Sequence, residues 1–477
     1  MKTLFRFLFC MAFISLLFSC EKSDPFGDEL SGVDLKSAAN CGEVIVVDPS
    51  GGDDTQALID AFEEAKASGP GATVQLTEGT YTIGMIEVLD FNGCFTGAGK
   101  GKTIITNLPD LPCENAWLAN VIPSLLKFVG GDIKICDMTI KFKDGNPCLP
   151  GVMNDEIYGD LAAGLILADY SGTYVPDNRY IKGVLENVEL IAGIDGGSGV
   201  YGTSGNVVML LYCGSDKWFP YDFFPISIGN ISVSNCYFKD GMAGPDIWAF
   251  DEKSVVDIKN NVVEGGLCPV YLGCLMGSRV TFSNNEVKNL HEGSWYSVWI
   301  DAYDSYPFLP AKETSYTLAG NKIEVPEGTI GLMIRDHFRA IDPNALPQLF
   351  DVRGNIFESE TGGISVMSMN NKNAKIQNNK FLGAGAVGVM IDGEEATGTY
   401  SEMNQVIGNN YFGATYTDVA VYLGPFSKNC KVVGVKSDLV VDEGVNNSII
   451  GTKANKKGIQ SDHFMAQKGK PFHPKMK

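Results

Sequence analysis

The sequence is short of several things, and each shortage narrows what it can be. Only four His occur in 477 residues, and no Cys-x-x-Cys pair is present, so a zinc site has little support. Pro numbers 21 against 55 Gly, which suits many short strands and turns rather than disorder. Positive charge is scarce: 37 Lys and Arg face 57 Asp and Glu, a formal charge of −20. Removing Lys2 and Arg6 with a leader gives −22, and residues 453–477, with seven Lys and one Asp, contribute +6, so the body carries −28. Such a surface repels phosphate backbones and argues against nucleic acid as a partner. It also repels polyanionic glycans unless a cation or a local basic patch intervenes. The apolar run at residues 7–18 is too short for a comfortable membrane span.

That run has another reading. Lys2 and Arg6 precede it, and it ends in LFSC, with Leu17, Ser19 and Cys20. The segment resembles a bacterial lipoprotein processing site, which implies cleavage before Cys20 and lipid on its sulfur. Simple secretion or an uncleaved anchor are the alternatives. Residues 20–41 are polar and acidic and read as a tether. Similar tethers occur on surface-exported lipoproteins of Bacteroidetes-like bacteria, so the resemblance implies an outer-membrane lipoprotein, periplasmic or surface-exposed, that meets the membrane through its lipid alone. With Cys10 and Cys20 set aside, ten Cys remain, an even number for an oxidising compartment. Disulfides are expected, for instance among Cys41, Cys94, Cys113 and Cys148, but not between Cys268 and Cys274, which bracket one strand.

The strongest pattern is an irregular repeat. Six-residue units recur, among them ICDMTI at 135, LENVEL at 185, IKNNVV at 258, FSNNEV at 282, IQNNKF at 376 and IGNNYF at 407. Their third residues are Asp137, Asn187, Asn235, Asn260, Asn284, Gly320, Gly354, Asn378 and Asn409. All are types that tolerate a left-handed backbone, as a tight bend between strands requires. The fourth residue is Asn261, Asn285, Asn321, Asn355, Asn379 and Asn410 in the last six units, a candidate amide ladder. First and sixth residues are apolar and should point inward, ending in Phe357, Phe381 and Phe412. A second strand follows each unit, as in DIWAF, PVYLG, SVWID, GLMIR and GVMID. Strand, bend, strand, turn, strand, repeated and stacked, is a parallel β-helix.

The start agrees. Residues 55–67 read as an amphipathic helix with Leu58, Ile59, Phe62 and Ala65 on one face and Asp54 as its cap. GTY and GAGKGKT follow; the latter leads into β-like TIIT, which argues against a phosphate loop. The acidic pair, helix, GTY strand and Gly-rich turn resemble the N-terminal cap and first coil of pectate-lyase-like right-handed parallel β-helix proteins. The expected organisation is a leader at 1–19, a tether at 20–41, an all-β, right-handed parallel β-helix with an N-terminal capping helix at 42–451, and a basic tail at 452–477.

In the second strand, alternate residues face outward. Met209, Trp248, Tyr271, Trp299, Met333, Val366, Met390 and Tyr422 form one apolar stripe. It is either covered by loops or a sugar-stacking platform, since pyranose faces pack on aromatic rings. The next outward column is Phe250, Gly273, Asp301, Arg335, Ser368, Asp392 and Gly424. Asp301 and Arg335 on adjacent rungs are expected to form an ion pair, which would keep Asp301 ionised and a poor acid. Tyr303, Asp304, Asp336, His337 and Glu394 lie nearby. The resemblance implies a groove over this strand, where an Arg abstracts a proton beside carboxylate-bound calcium; Arg335, Asp301 and Asp336 match those residue types. VWIDAYD resembles a pectate-lyase segment but has Ala302 in place of its His. Asp392 and Glu394 are a second candidate catalytic pair, two residues apart on one strand. Trp248, Tyr271, Trp299, Tyr303 and His337 are the candidate substrate contacts. Two functions stand: a polysaccharide lyase or glycoside hydrolase of the envelope, and a non-catalytic glycan-binding or adhesive protein.

Overall fold

The structure, a computed structural model, describes residues 42–109, 124–142, 161–168, 182–192, 206–213, 230–240, 243–250, 254–266, 268–275, 277–290, 294, 296–302, 313–342, 344–416 and 419–451. Residues 1–41 and 452–477, with the leader, tether and tail readings, lie outside them, as do Cys41, Cys113 and Cys148. Every ladder between the described strands is parallel: for example, Tyr271–Leu275 pairs with Tyr296–Ala302, and that strand with Ile330–Asp336. One sheet of 12 strands runs in chain order from Ile86–Leu89 to Val440–Asp442, and a 23-stranded sheet carries the remaining faces of the coil. The chain is therefore a parallel β-helix, with the right-handed winding that parallel crossovers strongly favour.

The repeat explains why. Asp137, Asn187, Asn235, Asn260, Asn284, Gly320, Gly354 and Asn378 all have positive φ, between 53° and 69°. Each turns the chain between two strands. Beside them the Asn ladder forms: Asn261 donates to Asn285 at 2.9 Å, Asn285 to Asn321 at 3.1 Å, Asn321 to Asn355 at 2.8 Å and Asn355 to Asn379 at 3.0 Å. Each Oδ1 from Asn285 onward also accepts the backbone N–H of the preceding Asn, so these buried amides satisfy groups that would otherwise cost ~1–3 kcal/mol each.

The last unit departs from expectation. Asn379 donates to Asn409 at 3.1 Å, so Asn409 and not Asn410 closes the ladder. Gly408 (φ 65°), rather than Asn409, makes the bend. The unit thus starts one residue earlier. Tyr411 takes the inward place and stacks on Phe381 with centroids 4.8 Å apart, while Phe412 is fully exposed. A Gly is the easier bend former, and the one-residue slip exchanges the faces of the residues that follow in that strand.

Helix α1 (Thr55–Ser68) covers the N-terminal end with Leu58, Ala61, Phe62 and Ala65 buried; Ile59 is only partly buried. Phe62 fits among Phe91, Phe95 and Phe128, with centroids 5.2, 5.1 and 5.6 Å away. Asp54 is at the N-cap position but its side chain does not cap. Instead it is fully buried and accepts from the backbone of Ser50 and Thr82, at 2.7 and 3.1 Å, tying the helix entry to a strand. Asp53 accepts from Thr55 N at 2.9 Å. GAGKGKT is a turn leading into the strand Thr103–Asn107, with no helix after it. Cys236, Cys268 and Cys430 are buried thiols and form no disulfide.

Candidate functional site

The 12-stranded sheet presents the strands expected to carry chemistry, but its register revises two columns. The stripe reads Asp246, Tyr271, Trp299, Met333, Met367, Met390 and Tyr422. Val366 is inward and fully buried, in line with Leu332 and Val389. Trp248 pairs with Gly273 and so belongs to the second column, two residues from its expected place; its side chain lies outside the described set. At the rung before it, Leu211 and not Met209 is in line with Asp246. Ser368 is also inward, held by Asn371 Nδ2 at 2.8 Å, and Met369 takes its outward place. The second column is therefore Trp248, Gly273, Asp301, Arg335, Met369 and Asp392. Loops of unequal length separate the strands, so counting cannot fix where each strand enters the sheet.

Asp301 and Arg335 are register partners, as expected, yet no ion pair joins them. Arg335 Nη2 instead reaches Glu394 Oε2 at 3.3 Å, and Glu394 accepts from Asn370 Nδ2 at 3.3 Å. Asp301 is 2% exposed and its Oδ1 has no hydrogen-bond partner. Burial pushes its carboxyl up to about 7; Arg335 pulls it back, while Asp336 and Glu394 add to the rise. The expected ion pair is thus replaced by one to Glu394, and for Asp301 loss of hydration outweighs the neighbouring cation.

Asp336 is fully buried at the N-terminus of the short helix α2 (His337–Ile341). Its oxygens accept from Arg339 N at 3.3 Å and Gln348 N at 3.1 Å, which identifies a brace rather than a reacting group. Burial raises it to about 6. Arg339, 2% exposed, donates to Asn370 O at 2.6 Å and meets Glu402 at 3.4 Å. This clamp places Arg335 and His337 on either side of Asp336. Burial, helped by Arg335, lowers His337 to about 4, leaving a neutral imidazole near pH 7.

Asp392 and Glu394 do not act on a common point. Asp392 Oδ1 accepts from Gly393 N at 2.9 Å and Phe426 N at 3.0 Å, whereas Glu394 turns to Arg335. Asp392 lies three strands from Asp301, ~14 Å along the stack. Burial lifts it to about 6.

The aromatic residues gather beside Asp301. Trp299 stands edge-on to Tyr271 at 5.0 Å and against Tyr296 at 4.9 Å. All three are half-buried, and burial raises the Tyr296 phenol, which also feels Arg335 and Asp301. The stripe is half-open at Tyr271, Trp299, Met367 and Met390 and covered at Met333 and Tyr422. Tyr303 and Asp304 lie outside the described residues. Sequence reasoning passed over Tyr296 and Asn370. Tyr296 could have been found as the aromatic opening its strand; Asn370, with φ 59°, as an Asn where a strand must turn.

Calcium does not fit this cluster. Among the described residues no group of three or more His, Cys, Asp or Glu is arranged to hold a metal. A calcium ion needs six to eight oxygen ligands, but Asp336 is occupied by backbone N–H groups and Asp301 faces a guanidinium.

The fold and the site together define a parallel β-helix protein with a buried acid–base cluster on one sheet. No family model matches the chain, and no curated protein matches it. Among solved structures it is similar to a mannuronan C-5 epimerase A-module of Azotobacter vinelandii (AlgE6), at 16% identity over 85% of this chain and 93% of that one, TM-score 0.37. It is similar to DFA-IIIase of Arthrobacter chlorophenolicus A6, at 13% identity over 86% and 99%, TM-score 0.48. A GH87 alpha-1,3-glucanase catalytic domain matches at 11% identity over 86% and 66%, TM-score 0.46. At these identities no site residue is carried over from them.

Proposed function

We propose that this chain is a glycan-active enzyme that cleaves glycosidic bonds with Asp301 as proton donor. One observation carries the reading: Trp299 Nε1, Asp301 Oδ1 and Arg335 Nε are buried polar atoms without hydrogen-bond partners, on two neighbouring strands of one face. Buried polar groups are ordinarily satisfied, and an unmet group near others supports a polar ligand. Tyr271, Tyr296 and Trp299 supply ring faces and edges for a sugar. Asp301, whose carboxyl is raised to about 7, donates its proton to the leaving oxygen as the C–O bond breaks. Water supplies the new bond to the anomeric carbon in a hydrolase, and loss of the neighbouring C–H proton to solvent forms the C=C bond in a lyase. Arg335, oriented by Glu394, binds substrate oxygens, and Glu394 carries the balancing negative charge.

The test is a glycan panel scored for binding and product release together, with and without a calcium chelator. Turnover is expected, unchanged by chelation, and an ultraviolet-absorbing unsaturated product separates a lyase from a hydrolase. Binding without turnover on every glycan overturns the enzyme and leaves the second reading, a glycan-binding surface protein, which the half-open Tyr271–Trp299 wall favours. The proposal also includes an envelope lipoprotein anchored through Cys20, with no nucleic-acid partner. Cys20→Ala should then move the protein from the membrane fraction to the soluble one; unchanged fractionation rejects the anchor.

A further inference from the structure

Asp246 lies outside the cluster used above. It occupies the outward stripe in register with Tyr271, which is in register with Trp299. The residue is 8% exposed and its Oδ1 has no hydrogen-bond partner. Burial pushes the carboxyl up to about 8; among the described residues no cation or donor offsets it, and its charge couples to the buried Cys268. A buried carboxyl left unmet is costly, and its place between Leu211 and Tyr271 would have accepted an apolar residue.

The neighbouring position supplies a second observation. A Cβ on Gly273 would meet the Tyr271 hydroxyl at 2.5 Å and its ring carbons at 2.7 Å. Gly273 lies beside Asp301 in the adjacent strand. Its bare backbone lets the Tyr271 ring lie along its own strand, between Asp246 and the Asp301 column, instead of standing away from the sheet.

We propose that Asp246, the Tyr271 ring and the Gly273 notch form a second saccharide subsite that takes an uncharged sugar ring by its hydroxyls. The inference rests on the glycan-active reading and adds the kind of sugar bound. A neutral carboxyl both donates and accepts, as a sugar hydroxyl pair requires. A uronate placed there would face an acid with no cation beside it among the described residues. Asp246 and Trp299 are two strand spacings apart, ~9.6 Å, so a single ring cannot engage both.

The experiment measures calorimetric affinity for neutral gluco-, manno- and galacto-oligosaccharides, disaccharide to hexasaccharide, and for their uronate counterparts. Asp246→Asn keeps a donor and an acceptor and should bind like wild type. Asp246→Leu should weaken the longer neutral ligands by about tenfold or more, the loss of one good polar contact, and leave the disaccharide unchanged. Gly273→Ala should also weaken the longer neutral ligands, because its methyl group displaces the Tyr271 ring that both subsites share. The melting temperature of Asp246→Leu should rise, because an unmet carboxyl is replaced by an apolar group. Wild-type affinity at every length in Asp246→Leu, equal loss at every length, or a preference for uronates overturns the subsite. If Asp301→Asn still abolishes turnover in that case, the glycan-active reading survives. Silence of the wild-type protein across the whole panel overturns both.

Discussion

Asp301 and Asp392 are the same residue type, in the same outward column of the same sheet, three strands apart. Burial raises both carboxyls, to about 7 and about 6. Each also has a Gly as its column neighbour. There the likeness ends. Asp392 leans into the space left by Gly424 and takes two backbone N–H groups, from Gly393 and Phe426. The space at Gly273 beside Asp301 is filled by Tyr271 instead, and Asp301 Oδ1 meets no donor. One acid is tied to two backbone donors; the other keeps an oxygen unmet. Residue type and column do not separate these roles. What separates them is whether the surrounding backbone has donors to spare.

The comparison can be broken in order of expected effect. Asp301→Asn should lower turnover by about 100-fold or more, the usual worth of a positioned general acid, while Asp392→Asn leaves chemistry largely intact. Equal losses in both, measured as kcat on the same glycan, would erase the distinction. Asp392→Ala should reverse the order for stability, costing about 1–3 kcal/mol in denaturant unfolding because two backbone donors lose their acceptor. Gly424→Ala should also destabilise, because its methyl group displaces the Asp392 carboxyl.

The acids also differ in their pH windows. Both folded values lie above the ordinary carboxylate value of 3.8. The native state therefore holds a proton that the unfolded chain has released, and each group's contribution to stability falls as pH rises. For Asp301 the fall runs from about 4 to about 7, and for Asp392 it ends near 6. Asp301→Asn should consequently raise the melting temperature at pH 8 more than at pH 4, and turnover should decline above about pH 7 as the donor ionises. A flat difference across pH would contradict the buried, protonated Asp301. The smallest effect is expected for Glu394→Gln. Its pair with Arg335 is partly solvated, 23% and 28% exposed, so unfolding stability should change by less than about 1 kcal/mol. Turnover should drop more than stability suggests, because Arg335 loses its orientation.

Much of the coil was legible because its requirements are local. A bend between two strands needs a left-handed residue, so the column of Asn, Asp and Gly at Asp137, Asn187 and Asn260 identified itself. Amides stacked at one strand spacing bond to each other, so Asn261 through Asn379 could be read as a ladder. The site was legible only as a set of residues. Asp301, Arg335 and Glu394 stand out in the sequence, but which carboxylate pairs with Arg335 does not. Adjacent registry puts Arg335 beside Asp301, yet a long guanidinium bonds wherever a better-hydrated carboxylate is in reach, and Glu394 is that group.

What the sequence by itself determined is the parallel β-helix, since alternation, bend residues and the Asn column act within one rung and repeat in every rung. What only the tertiary structure decided is the lateral register of each strand and the partner of each polar group. Strand 243–250 enters two residues from its expected place, so Trp248 leaves the stripe and Asp246 takes that position. The physical reason is that unequal loops absorb any offset without disturbing the alternation. Inside and outside faces therefore stay readable along the chain, while the neighbours across it become known only when the strands are stacked.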